Sequence, residues 1–202
     1  MEAQAKPMNR DTPQRIPPNL DELILVTRSG EETQALGRAI GEAVQESLVI
    51  ALQGDLGAGK TTLTQGIAAG LGVSHRVTSP TFTLVSEYPG RDGARLLHVD
   101  SYRLGDSSQA AQREASTFGM EEILEQAEAP ALGEPPAITV VVIEWAERLA
   151  ELLPPDHLAI HLEHLPDKPD SRRLRLVAHG PRSRALLGRV AQAWTPQPAE
   201  PL

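Results

Sequence analysis

No cysteine occurs anywhere in the 202 residues. Disulfides, thiolate metal sites and a cysteine nucleophile are thereby excluded, so any metal must be held through oxygen or nitrogen, which favours a hard cation. Aromatic residues make up only 3% of the chain, which removes the stacking surface that many single-strand nucleic-acid binders use. No apolar run approaches the roughly 20 residues needed to cross a bilayer. The opening "MEAQAKPMNRDTPQRIPPNL" also lacks the apolar middle of a secretory signal. No membrane partner is expected, and a cytoplasmic location is. Excess positive charge is missing too: 19 Lys and Arg stand against 27 Asp and Glu, a formal net charge of −8. Such a balance argues against a chain whose main task is gripping DNA or another phosphate backbone by itself.

What is present fits a globular chain, with 40% hydrophobic and 23% charged residues. Residues 1–20 and 195–202 are polar, proline-rich and without helical or strand period, and are read as disordered arms around a single domain over 21–194. Within it, "LILV" reads as a strand, "GEETQALGRAIGEAV" as a helix, and "SLVIAL" as a buried strand. "TTLTQGIAAGLG" presents an apolar helical face through Leu63, Ile67, Ala68 and Leu71, with Gly72 as its stop. "FTLVSEYPGRDGARLLHVD" predicts two strands about a GRDG turn. "SSQAAQREASTFGMEEILEQ" is helical with a break near Gly119, "AEAPALGEPP" is a loop, and "AITVVVIE" is an apolar strand suited to a parallel sheet. "HLAIHLEHL" and "RRLRLVA" predict a closing antiparallel pair, followed by an amphipathic helix in "RSRALLGRVAQAW". The mixture predicts an α/β fold, with a layered domain around a mixed, mainly parallel central sheet flanked by helices.

One stretch concentrates chemistry. "GDLGAGKTT", residues 54–62, follows a buried strand and opens a helix, and Gly54, Gly59, Lys60 and Thr61 satisfy G-x-x-x-x-G-K-S/T, the P-loop pattern. Its competing reading is a glycine turn with no ligand. Glycines there let successive backbone N–H groups turn inward around a di- or triphosphate, and the helix start adds its positive dipole end. Lys60 would neutralise β and γ phosphate oxygens, Thr61 would offer its hydroxyl to Mg²⁺, and Thr62 is a weaker candidate for the α phosphate. Asp55, Leu56, Gly57 and Ala58 would contribute main chain. Such a loop needs a second strand ending in a carboxylate. Two qualify, ending at Asp100 and Glu144, and spacing alone does not divide their roles. Thr81 of "SPTFT" lies where related folds place a loop that senses the γ phosphate, although a plain Ser-Pro turn fits the same residues. Trp145, directly after Glu144, reads as core packing, a lid or a partner contact. His157, His161 and His164 cluster in sequence, but on a strand 157 and 161 share a face that 164 does not, so no metal site is expected from them.

Ten acids against two arginines in residues 106–151, and six arginines without an acid in residues 171–189, read as solvated faces or as docking faces for partners.

Taken together, "GDLGAGKTT", "VTSPTFTLVSEY", "LLHVDSYRL", "GMEEIL", "VVVIEWAERL" and "LLPPDHLAIHLEH" resemble the TsaE family, also called YjeE, over about residues 22–192. The resemblance implies a small P-loop ATPase that uses ATP and Mg²⁺ in making threonylcarbamoyladenosine in tRNA. It also implies TsaB- and TsaD-like partners, with tRNA met indirectly and the group transfer left to the TsaD-like subunit. Carried onto this chain, Lys60 and Thr61 match the P-loop lysine and metal threonine, and Glu144 the magnesium-linked carboxylate. Asp100 matches the second acidic motif, placing water or metal, Thr81 the loop sensor, and Trp145 a position beside the site or the partner surface. Arg172 falls where the nucleotide pocket would close near the base. One departure stands out: "GDSSQAAQREASTF" is longer and less acidic than the family's usual segment there, which puts partner contacts through it in doubt.

Overall fold

The computed structural model describes residues 20–105, 107–128 and 137–194. The arms expected at 1–20 and 195–202, apart from Leu20, and most of the expected loop at 127–136 lie outside those residues, as does Asp106. Among the described residues seven strands form one sheet: β1 (Glu22–Thr27), β2 (Leu48–Gln53), β3 (Val85–Pro89), β4 (Arg95–Asp100), β5 (Thr139–Glu144), β6 (His157–Leu165) and β7 (Lys168–Ala178). They lie in the order β1-β7-β6-β2-β5-β4-β3. The four central strands β6, β2, β5 and β4 run parallel, and the pairs toward both edges are antiparallel. The expected mixed sheet is therefore present, with its parallel part in the centre.

The apolar strands are central because both their faces are covered. In β2, Leu48, Ile50 and Leu52 point into one core and Val49 and Ala51 into the other, so no position can be polar at low cost. The first core is roofed by α1 (Gly30–Ala43), α2 (Lys60–Gly70) and α5 (Pro181–Ala193). On the opposite face lie α3 (Ser108–Thr117), α4 (Met120–Glu128) and a short turn of 3₁₀ helix at Ala146–Leu149. The break between α3 and α4 falls at Gly119, whose φ of 82° ends one helix and lets the next begin. In the 91–93 turn, Asp92 and Gly93 supply positive φ values of 52° and 78°, as the GRDG reading requires.

Helix α1 lies unusually close to α2. Gly37 and Gly41 on α1 face Gly66 and Gly70 on α2, and a β-carbon at any of the four would collide with backbone of the facing helix. The contact matters for position, because α2 begins at Lys60 and is held against the sheet by this crossing. We expect Gly66→Ala to lower unfolding free energy by on the order of 3 kcal/mol, since the added methyl has only backbone to push against. Gly30→Ala, where nothing lies within 4 Å, should be neutral within about 0.5 kcal/mol. Urea unfolding of the two variants compares them directly.

Candidate nucleotide site

Strand β2 runs into the 54–59 loop, and the loop's course is dictated by backbone. Gly54 has φ 132° and passes so near the Leu162 carbonyl of β6 that no side chain fits, while Gly59 caps α2 with φ 104°. The N-cap of α2, Gly59, has no side chain to bond the first N–H groups of the helix, and uncapped N–H groups at the positive end of a helix dipole are the arrangement that attracts an anion. Lys60 is 5% exposed, and its Nζ donates to the carbonyls of Gly54 (2.5 Å) and Asp55 (2.9 Å). The same ammonium lies 3.5 Å from the centre of the Trp145 ring. Burial pushes its pKa below the ordinary lysine value, opposed by the charges of Glu144, Glu147, Asp100 and Asp55.

The two carboxylates come from neighbouring strands. In the parallel register Asp100 pairs with Glu144, and Glu144 with Leu52 of β2, so both acids stand beside the loop at the carboxyl ends of the strands, the usual ligand side of such sheets. Their surroundings differ. Glu144 Oε2 accepts from Thr61 Oγ1 (2.9 Å), and its Oε1 is 2.8 Å from His98 Nε2. Asp100 Oδ2 accepts from Thr81 Oγ1 (2.7 Å) and Ser79 Oγ, and its Oδ1 accepts from the Tyr102 amide (3.0 Å). Glu144 therefore addresses the first turn of the P-loop helix, whereas Asp100 ties down the 79–81 segment. The sequence spacing contained no such distinction.

A cavity of about 480 Å³ opens between these elements, lined from the loop by Leu56, Gly57, Gly59, Lys60, Thr61 and Thr62. Ser79, Thr81, Asp100, Tyr102, Glu144 and Trp145 close the other side. Gly54, Asp55 and Ala58 are not lining residues of that cavity; the first two meet Lys60 through their carbonyls, and Ala58 is fully buried. Trp145 belongs to the cavity wall and not to either apolar core: it has φ 62° and its ring leans on Tyr102 with centroids 4.9 Å apart. Arg172 is not in the wall. From β7 its Nε donates to the Ala58 carbonyl (3.1 Å), with further bonds to the carbonyls of Pro169 and Ser171, so it braces the loop from behind.

Oxygen donors suited to Mg²⁺ converge at one point, the Thr61 hydroxyl and the Glu144 carboxylate. Among the described residues no group of three or more His, Asp or Glu is placed to hold a metal ion. Of the histidines, His157 stacks on His179 at 4.2 Å, and burial pushes its pKa below the ordinary value.

Sequence reasoning missed Ser79, His98 and Tyr102. A signal existed for the second: His98 is polar inside "RLLHVD" and shares a strand face with Asp100, two residues on. Within the atypical stretch, Ser108–Thr117 form α3, which sets Ala111 and Ala115 into the second core.

Residues 27–174 match the family model described as "Threonylcarbamoyl adenosine biosynthesis protein TsaE". Two curated relatives are each named tRNA threonylcarbamoyladenosine biosynthesis protein TsaE. That of Treponema pallidum is 38% identical over 70% of this chain and 92% of its own, and that of Bacillus subtilis is 36% identical over 77% and 85%. The crystal structure of YdiB from Bacillus subtilis superposes with a TM-score of 0.63 at 29% identity, covering 85% of this chain and 95% of that one. With the P-loop, both carboxylates and Arg172 inside the matched span, the chain belongs to the TsaE family, named for threonylcarbamoyladenosine biosynthesis.

Proposed function

We propose that the chain is a magnesium-dependent ATP hydrolase that serves threonylcarbamoyladenosine modification of tRNA in the cytoplasm. It acts with TsaB- and TsaD-like partners and does not perform the group transfer itself. The observation that carries the hydrolase reading is the 2.9 Å bond between Thr61 and Glu144 at the mouth of a glycine loop. Hydroxyl and carboxylate are already adjacent where a P-loop enzyme needs its cation. Membership of the TsaE family supports the tRNA part, and the net charge of −8 supports leaving the grip on tRNA to another subunit.

In this reading the uncapped N–H groups at the start of α2 and the glycine loop take the phosphates. Lys60 exchanges the Gly54 and Asp55 carbonyls for β and γ oxygens, which carry full charge and compete well for a partly desolvated ammonium. Bound through Thr61 and Glu144, Mg²⁺ would supply charge neutralisation on the phosphates. Asp100, with the Ser79 and Thr81 hydroxyls on its Oδ2, holds the opposite wall and orients the attacking water. Water adds to the γ phosphorus, the bond to the β-phosphate oxygen breaks, and ADP, phosphate and a proton leave. Because Trp145 lies against Lys60, its ring responds when phosphate arrives.

Lys60→Ala should weaken ATP binding roughly 10- to 100-fold, as loss of a charge-assisted contact of about 1.5–3 kcal/mol implies; unchanged affinity in calorimetry contradicts the site. Glu144→Ala should keep magnesium-free ADP binding but lose on the order of 100-fold in single-turnover phosphate release, the scale of removing one stabilising group. If wild-type protein instead converts ATP into a phosphorylated small molecule, the hydrolase reading gives way to a kinase. In a Trp194→Phe background, leaving Trp145 as the fluorophore, ADP should change the emission, and a flat titration would separate the ring from the phosphate site. Reconstituted tRNA modification with and without the chain tests the cellular part.

A further inference from the structure

His98 sits inside the sheet with no exposed surface. In the β4–β5 register it pairs with Val142 while Asp100 pairs with Glu144, so the imidazole and the Glu144 side chain are diagonal neighbours on one face, within reach of each other. Nε2 stands 2.8 Å from Glu144 Oε1. A carboxylate can only accept, so Nε2 carries the hydrogen. The other ring nitrogen, Nδ1, is buried and has no hydrogen-bond partner among the described residues. An apolar side chain would fill this position without burying a half-satisfied polar ring. Core packing therefore does not account for a histidine here, and its one bond goes to the carboxylate.

We propose that His98 is a positioning residue that presets Glu144 for the cation; this rests on reading Glu144 as the magnesium-linked carboxylate. The two oxygens of Glu144 are divided between two donors. His98 takes Oε1, which leaves Oε2 at Thr61 Oγ1 (2.9 Å). A glutamate has three rotatable bonds, and without the imidazole the carboxylate would sample other rotamers or turn its oxygens over. The ordering would then have to accompany each cation that binds. Partners of this kind, bonded to a ligating group and not to the metal, typically alter metal affinity by about 10- to 100-fold.

The test reads binding, not turnover. Affinity for a fluorescent ADP analogue is measured at increasing free Mg²⁺ in wild type, His98→Leu and His98→Gln. His98→Leu should need about tenfold or more Mg²⁺ for half of the magnesium-dependent gain, with magnesium-free ADP affinity within about twofold of wild type. His98→Gln, whose amide can donate to the same oxygen, should recover to within about threefold. In magnesium-free wild type, proton NMR should show a slowly exchanging imidazole N–H that is missing in His98→Leu. A folded His98→Leu protein with the wild-type magnesium requirement overturns the proposal, as does a His98→Gln protein no better than His98→Leu. Wild-type ADP affinity indifferent to Mg²⁺ would instead remove the magnesium reading of Glu144 on which the proposal stands. Should His98→Leu fail to fold, His98→Asn takes its place, since its shorter amide falls short of Glu144 and predicts the same rise.

Discussion

The ladder of backbone hydrogen bonds joining β2, β5 and β4 sets the level at which three chemically different groups meet. Leu52 stands beside Glu144, and Glu144 beside Asp100. A slip of one residue in either pairing would turn a carboxylate to the opposite face, away from α2 and into the core beneath α3 and α4. Burial on both faces prevents that slip, because the alternating residues of β2 and β5 are apolar and enclosed in two separate cores. The cavity thus inherits its geometry from the sheet.

Placing two carboxylates on adjacent strand ends, each about 3% exposed, requires compensation. Asp100 receives three donors and Glu144 two, and Lys60 lies close enough for both charges to act on its ammonium. Lys60 in turn is screened from water by Trp145 and bonded to loop carbonyls. The result is a network in which each polar group is oriented by another, the condition under which buried charge is tolerable and position is well defined. On the far side, the glycine crossing of α1 and α2 and the Arg172 bond to Ala58 hold the loop and its helix against the sheet. The loop is supported from behind and open in front.

Much of the architecture was legible in residue order. "SLVIAL" announced a buried strand and "AITVVVIE" a strand of a parallel sheet by their unbroken apolar character, and Gly72, Gly93 and Gly119 marked stops and turns where φ is positive. The GDLGAGKTT loop was readable because its demands are local: nine consecutive residues carry the glycines, the lysine and the threonine that one short backbone path requires. Arg172, reached through family resemblance, donates its Nε to the Ala58 carbonyl of the loop, a contact between residues 114 positions apart that no local pattern records. Trp145 stood open between core, lid and partner contact until the sheet put its ring over Lys60.

From the sequence alone follow the fold class, the glycine-rich loop with the P-loop pattern and the pair of candidate acids, since each is a property of contiguous residues and their period. Tertiary structure alone shows which groups each acid meets. Thr61 and Glu144 are separated by 83 positions, and His98 and Glu144 by 46. Contacts across such distances depend on strand order and register, which no local pattern records. The division of Glu144 toward α2 and Asp100 toward Ser79 and Thr81 exists only once the strands lie side by side.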